Sequence, residues 1–325
     1  MSLPSPARLR HSENGHAVMG ETGTKGANPA VVTAFALTAL VWGSTWLVIK
    51  GQIGPVPASW SITWRFAGAA VGMFALGLLR GDIRIGALVP ERRVLVQAGL
   101  IGLSLFCCNF QFVYRAESHL TSGLVAVVFA LLILPNAVFG RLFLGTRVTG
   151  GFILGSLIAG AGIVLLMIHE YRAAPAGSDV PLGAAMSVAA LLCASVGNLL
   201  QAAPVARRIP AAHLLAWAFL IGAIADAAVA FALSGAPVFD PSPAYVGSVA
   251  YLAFIGSVLT FPLYNLLLRE MGPGPAAYSG VLVPVVAMLL STLFEGYRWS
   301  GLNVAGALLS LAGLVVALKA RSPSR

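Results

Sequence analysis

Four ionisable residues stand within or at the edge of strongly apolar stretches: Lys50, Arg65, Asp226 and Glu295. A charge surrounded by apolar side chains is costly, so each calls for a structural partner or a role toward a ligand or ion. Arg65 suits substrate contact or gating, and equally a tie to backbone carbonyls or a nearby carboxylate that fixes helix packing. Asp226 can bind and release a proton during a cycle, although one isolated carboxylate does not establish coupling. Glu295 closes an apolar run and reads as an interface residue as readily as a working one. Lys50 can snorkel toward outer headgroups. Counted from the ends of their apolar runs, Arg65 and Asp226 fall at similar depths, roughly 11 to 12 Å from one boundary. A salt bridge between them, or a shared substrate contact, is open on that spacing.

The polar and aromatic residues in the apolar runs fit a cavity for a small organic molecule. Trp42, Ser44, Thr45 and Trp46 cluster in one run and Asn109, Gln111 and Tyr114 in another, while Asn136, Asn198, Tyr264 and Tyr278 extend the set. Aromatic faces hold apolar or cationic groups, and amides and hydroxyls orient polar ones without placing a charge in lipid. The expected substrate-binding set is Trp42, Ser44, Thr45, Arg65, Asn109, Tyr114, Asn198, Tyr264 and Tyr278. Trp42 and Ser44 cannot both be central, because residues two apart diverge by about 200° on a helix. Lys50, Asp226, Glu295, Pro135 and Pro284 are candidates for coupling or gating, the prolines because they can break a helix into a flexible wall. Tyrosine and tryptophan near span ends also serve as interface anchors.

Catalytic patterns give little. His169-Glu170 starts like a zinc-protease helix, but Ala173 stands where the second histidine belongs. No GxxxxGK[ST] loop occurs, so ATP hydrolysis by this chain is disfavoured. Cys107, Cys108 and Cys193 lie inside apolar runs without ligand spacing and read as packing residues. The expectation is a protein that is no enzyme, with no catalytic residues, no metal and no cofactor. An intramembrane transferase using Asp226, Glu295 or His119 is the remote competitor, since its ionisable groups should converge and these are scattered.

The elements that must position these residues follow from composition. Hydrophobic residues make up 58% of the chain and charged residues 10%, with a mean hydropathy of +0.88, far from the soluble balance of roughly 25% charged. The 325 residues divide most naturally into about ten membrane helices of roughly 20 residues. Apolar runs fall at about Ala30 to Ile49, Ala58 to Leu79, Leu95 to Val113, Leu120 to Phe139 and Val148 to Ile168. Five more fall at about Leu182 to Val205, Ala211 to Leu233, Tyr245 to Leu268, Pro273 to Phe294 and Gly301 to Leu318. Residues 1–28 are polar and Gly- and Pro-containing, which predicts a disordered cytoplasmic tail without a signal peptide.

A stretch occurs twice. At a constant offset of 151, Phe143, Gly145, Arg147, Gly150, Gly155, Ala161 and Gly162 match Phe294, Gly296, Arg298, Gly301, Gly306, Ala312 and Gly313. Fainter matches join Pro57, Trp64 and Phe66 to Pro210, Trp217 and Phe219, Ser44 to Ser195, and Tyr114 to Tyr264. Each copy closes five spans, so the second half enters the membrane from the opposite side, an organisation used by secondary transporters. A cytoplasmic N-terminus places fifteen of the twenty Lys and Arg residues inside, as the positive-inside rule requires. That distribution explains the net charge of +9 without a nucleic-acid partner and puts both termini in the cytoplasm.

These residues resemble the drug/metabolite transporter superfamily and its ten-helix EamA-type members. The resemblance is carried by VWGSTWLVIK (Val41 to Lys50), Pro57 with Arg65-Phe66, Tyr114, Pro135, Pro284, Phe294-Glu295 and the Gly306/Gly313 helix. The acidic residue often found at the end of the fourth helix is Leu144 here, while Glu295 is retained, which argues against any scheme needing a symmetric carboxylate pair. The resemblance implies an all-α polytopic bundle with a central cavity that exports small metabolites, amino acids or drugs. The expected division is a tail over 1–28 and two EamA-like repeats over 29–173 and 181–320, in a bacterial inner membrane. Partners are a small-molecule substrate, the bilayer and, as coupling ion, protons. A lipid-translocating carrier is the alternative.

Overall fold

The computed structural model describes residues 29–54, 56–83, 90–145, 148–173, 179–271 and 279–320; the tail over 1–28 and Arg147 lie outside them. Ten helical spans follow in order: α1 (Pro29–Gly51), α2 (Ala58–Leu79), α3 (Arg92–Glu117), α4 (Ser122–Leu144), α5 (Gly150–Ala173), α6 (Val180–Ala202), α7 (Ala211–Ser234), α8 (residues 243–271), α9 (Ser279–Phe294) and α10 (Gly301–Lys319). Among the described residues nine are long and apolar enough to cross a membrane, and α9 is a shorter apolar helix. An isolated bridge between Ile53 and Val56 interrupts the helical pattern. Ten crossings bring the start of α1 and the end of α10 to one side, called here the termini side; the ends of α1, α3, α5, α7 and α9 lie on the far side.

Three spans outrun their apolar runs, α4 by reaching Leu144 rather than Phe139. The α5 helix continues to Ala173, so His169 and Glu170 belong to its last turns rather than to a loop. No helix breaker occurs before Pro175, and hydropathy marks where lipid contact ends, which is not where a helix must end. The α3 helix likewise reaches Glu117.

The packing obeys a pseudo-two-fold relation. The α2 helix packs on α7 and α5 on α10, each a pair of repeat mates, while α1 lies on α8 and α9 as α6 lies on α3 and α4. Backbone detail follows the same relation. A π-helical segment occupies Gly102–Cys108 in α3 and Tyr251–Leu259 in α8. Gly145 and Gly296, repeat mates, take φ of 66° and 68° just after α4 and α9, a left-handed stop that a Cβ would penalise. Phe66 of α2, Phe106 of α3 and Phe219 of α7 cluster with ring centroids 4.4 to 5.7 Å apart, Phe66 stacked on Phe219 and Phe106 tilted against both.

The α4 helix is uneven. Every residue from Ser122 to Val128 is buried, and none from Phe129 to Phe139 is. A 3-10 turn at Ala130–Leu132 separates the two stretches. Pro135 explains it: proline has no N–H for the carbonyl four residues back, at Leu131, and its ring crowds that carbonyl.

Candidate functional site

The aromatic residues expected to line a cavity meet at mid-depth between α1, α4 and α8. The Trp42 ring lies 5.2 Å from that of Tyr264 and 5.9 Å from that of Phe261, and its indole nitrogen donates to the Gly256 carbonyl at 3.3 Å. Ser44 and Tyr251 share a hydroxyl hydrogen bond of 2.7 Å. Trp46 packs on Phe129 of α4 at 4.9 Å. The aromatic rings and Ser44 in this layer are half-buried, and Gly256 is buried. The α1 and α4 helices come from one repeat and α8 from the other, so the layer lies where the halves meet, and the π segment of α8 supplies both Tyr251 and Gly256. Trp42 and Ser44, which helical geometry would separate, both reach α8, Trp42 at Gly256, Phe261 and Tyr264 and Ser44 at Tyr251.

Other expected lining residues make hydrogen bonds within the bundle. Thr45 donates to the Trp42 carbonyl at 2.7 Å and is buried. Asn109 donates to Leu105 in its own helix and is buried too. The Asn198 amide approaches Asn136 at 3.5 Å, joining α6 to α4. Pro284 lies inside α9. Tyr278 lies outside the described residues.

Toward the far side the layer gives way to a buried polar network. Tyr114 is fully buried and donates to Gln52 Oε1 at 2.8 Å; Gln52 donates to Ser248 at 2.8 Å, and Ser61 meets Tyr245 at 2.8 Å. These bonds tie α1, α2 and α3 to α8. The Lys50 ammonium donates to the carbonyls of Glu117 and, at 2.9 Å, Leu120. Glu295 accepts from the Ser122 amide at 3.1 Å and from the Ser122 hydroxyl.

Arg65 and Asp226 do not form the pair that their depths allow. Asp226 Oδ1 instead accepts from Gln111 Nε2 at 2.7 Å, and Gln111 Oε1 accepts from Ser59 at 2.8 Å and Arg115 at 2.7 Å. The Arg65 guanidinium lies 4.3 Å from the Phe110 ring centre and 5.1 Å from that of Phe66, a cation–π arrangement. Its Nε and Nη1 have no hydrogen-bond partner among the described residues, and the same holds for both carboxylate oxygens of Glu117. Glu117 is fully buried and neighbours Lys50, Glu295 and Arg65. Sequence reasoning did not single it out, since it falls between the apolar runs ending at Val113 and starting at Leu120. The signal was its place three residues after Tyr114, which puts both on one helix face.

At the far ends of α5 and α10, His169 Nδ1 and Ser300 Oγ are 3.0 Å apart. Nearby Tyr297 accepts from Asn303 at 3.2 Å, and burial pushes its phenol up to about 12, so it acts as a neutral hydroxyl. Among the described residues no cluster of His, Cys, Asp and Glu could hold a metal ion.

Two cavities flank the network. One of about 280 Å³, lined by Val127, Ala130, Pro284, Met288, Thr292 and Leu311, is almost wholly apolar. The other, about 360 Å³, lies at the far side between Leu47, Gly51, Asp240, Tyr245 and Ser248. Neither contains the Trp42, Ser44 and Tyr251 layer, whose mixture of aromatic faces and hydroxyls offers more to a polar organic molecule.

The family model of the EamA-like transporter family matches twice, over residues 30–168 and 181–319. The chain belongs to that family. The two matches divide this EamA-like chain between α5 and α6, where the five-helix repeats divide. It is 31% identical over 285 residues to a protein of Escherichia coli K12 named as an uncharacterized inner membrane transporter, YedA, covering 85% of this chain and 88% of that one. It is 24% identical to a probable amino-acid metabolite efflux pump of Salmonella typhimurium LT2, covering 86% and 92%. A solved structure titled only as a crystal structure of protein superposes with a TM-score of 0.63 at 21% identity, covering 90% of this chain and 97% of that one, a likeness of fold. The EamA-like chain is thus a multi-pass membrane protein of a transporter family, with an aromatic and hydroxyl layer where its repeats meet.

Proposed function

We propose that this protein is a secondary carrier of the bacterial inner membrane that exports small organic metabolites by alternating access. Its halves, 29–173 and 181–320, rock about the layer formed by Trp42, Ser44, Tyr251 and Tyr264, with both termini in the cytoplasm. The single observation behind this reading is that layer: half-buried aromatic faces and a hydroxyl pair at mid-depth, contributed by both repeats. Trp42 and Tyr264 hold the apolar or aromatic part of the substrate, and the Ser44 and Tyr251 hydroxyls orient a polar group. Amino-acid metabolites are the first class to test, in keeping with the name of the Salmonella relative. Pro135 and the 3-10 turn before it give α4 a place to bend, and Asp226 is the proposed proton site.

Overexpression should enrich a defined set of amino acids or related metabolites outside cells relative to a Trp42→Ala control. An unchanged external metabolite profile would sink the proposal, and enrichment confined to lipids would replace it with a lipid-carrying reading, to which the apolar cavity beside Pro284 is suited.

A further inference from the structure

The two halves share a fold but not their charges. The repeat relation that carries Ser44 onto Ser195 carries Lys50 onto Gln201. The relation of Trp64 to Trp217 carries Arg65 onto Ala218, that of Tyr114 to Tyr264 carries Glu117 onto Leu267, and that of Phe143 to Phe294 carries Leu144 onto Glu295. All four charged positions lie in the far half of the bundle, and the equivalent termini-side positions carry no ionisable group. Ala218 and Leu267 are fully buried apolar residues.

Two of these charges hold one connection from both ends. Lys50 of α1 donates to the carbonyls of Glu117 and Leu120, where α3 ends, and Glu295, just after α9, accepts from Ser122, where α4 begins. A cation on terminal carbonyls and an anion on a first-turn amide are the favoured placements for a helix end and a helix start. The stretch of α4 directly behind the connection, Ser122 to Val128, is completely buried, and no residue of the next stretch toward the termini side, Phe129 to Phe139, is buried.

We infer that Lys50 and Glu295 form a latch that sets the carrier's resting orientation, closed on the far side and open toward the termini side. The inference rests on the carrier reading above. In a bundle built from two like halves, the two orientations would have similar energies, and an interaction present in only one shifts the population toward it. The latch supplies that difference, because closing the opposite end would bring Gln201 and Leu144 to the equivalent positions. Glu117, Arg65 and Glu170 are the further charged groups near it.

Thiol accessibility tests this in the full chain. Cys107, Cys108 and Cys193 are replaced by alanine, Ser44→Cys serves as a mid-depth reporter, and a membrane-impermeant maleimide is applied to each face of sealed vesicles. With the latch intact, the reporter labels from the termini side. Lys50→Gln and Glu295→Gln should each raise far-side labelling and lower termini-side labelling, on the order of tenfold for a modest shift between two states, while Lys50→Arg keeps the original pattern. Unchanged labelling in both glutamine variants overturns the latch. So does a rise from both faces together, which reports a loosened fold, or far-side labelling of the intact protein. Solute flux is no part of this readout, so the latch can fail while the carrier reading stands. Reciprocal shifts in a protein that moves no solute would instead uphold the latch and remove the carrier reading.

Discussion

Gly155 of α5 and Gly313 of α10 are in backbone contact. A Cβ on Gly313 would lie 2.6 Å from the Gly155 carbonyl oxygen and 2.2 Å from the Ala159 nitrogen, and one on Gly155 would lie 2.7 Å from the Gly313 oxygen. Their repeat mates repeat the contact in reverse: a Cβ on Gly162 would meet the Gly306 oxygen at 2.5 Å, and one on Gly306 the Gly162 oxygen at 2.8 Å. The reciprocity is what a two-fold between repeats produces, and only residues without a side chain let the helices come this close.

Gly155→Ala and Gly313→Ala should therefore each destabilise the protein by about 1–3 kcal/mol, the usual cost of overpacking, because the obstructing atoms are backbone and cannot rotate away. Gly160→Ala in the same helix meets nothing within 4 Å and should leave stability undiminished, with a gain of about 0.4–1 kcal/mol from the better helix former. Thermal unfolding in detergent compares the three. Equal melting temperatures would mean that α5 and α10 do not pack in this way.

Reporter fusions test the topology. A fusion after Arg172, at the far end of α5, should report the exterior, and one after Arg208, between α6 and α7, the cytoplasm. The same signal from both would undo the crossing count and the orientation drawn from the basic loops.

The bond from Tyr114 to Gln52 joins α3 to α1 in a fully buried setting. Tyr114→Phe and Gln52→Leu should each cost about 1–3 kcal/mol by leaving the other partner unsatisfied, and the double variant should cost less than the sum. Additive losses in a double-mutant cycle would show that the bond contributes nothing.

Much of this architecture is legible in the sequence because lipid imposes long apolar runs and because duplication writes the scaffold twice. The ends of α2, α7 and α10 lie where hydropathy puts them, within a residue or two. The polar ends of α3 and α5 are not legible by that criterion, since His169 and Glu117 sit on helix that continues past the apolar run. The site is less legible than the fold. Depth along two helices suggested Arg65 and Asp226 as partners, but depth says nothing of rotation: Gln111 occupies Asp226 while Arg65 turns onto Phe110. Tyr251 and Phe261 passed unremarked because which face of α8 meets Trp42 and Ser44 is set by tertiary packing, which the sequence of α8 alone does not give.

Asp226 is the proposed proton site, with Gln111, Arg115 and Cys107 as the polar or titratable groups around it. Asp226→Asn preserves the shape and the hydrogen bond to Gln111 while abolishing protonation. Export by this variant should lose its response to an imposed pH gradient. Flux and pH response equal to those of the parent protein would remove Asp226 from coupling.

The most direct test of the carrier reading is solute counterflow in proteoliposomes containing the purified chain, run against amino acids, nucleosides, organic cations and lipids. Saturable exchange of at least one small organic solute is predicted, with Trp42→Ala and Ser44→Ala weakening it by roughly tenfold or more, as loss of a binding contact would. No saturable movement of any solute by a correctly folded protein would contradict the account.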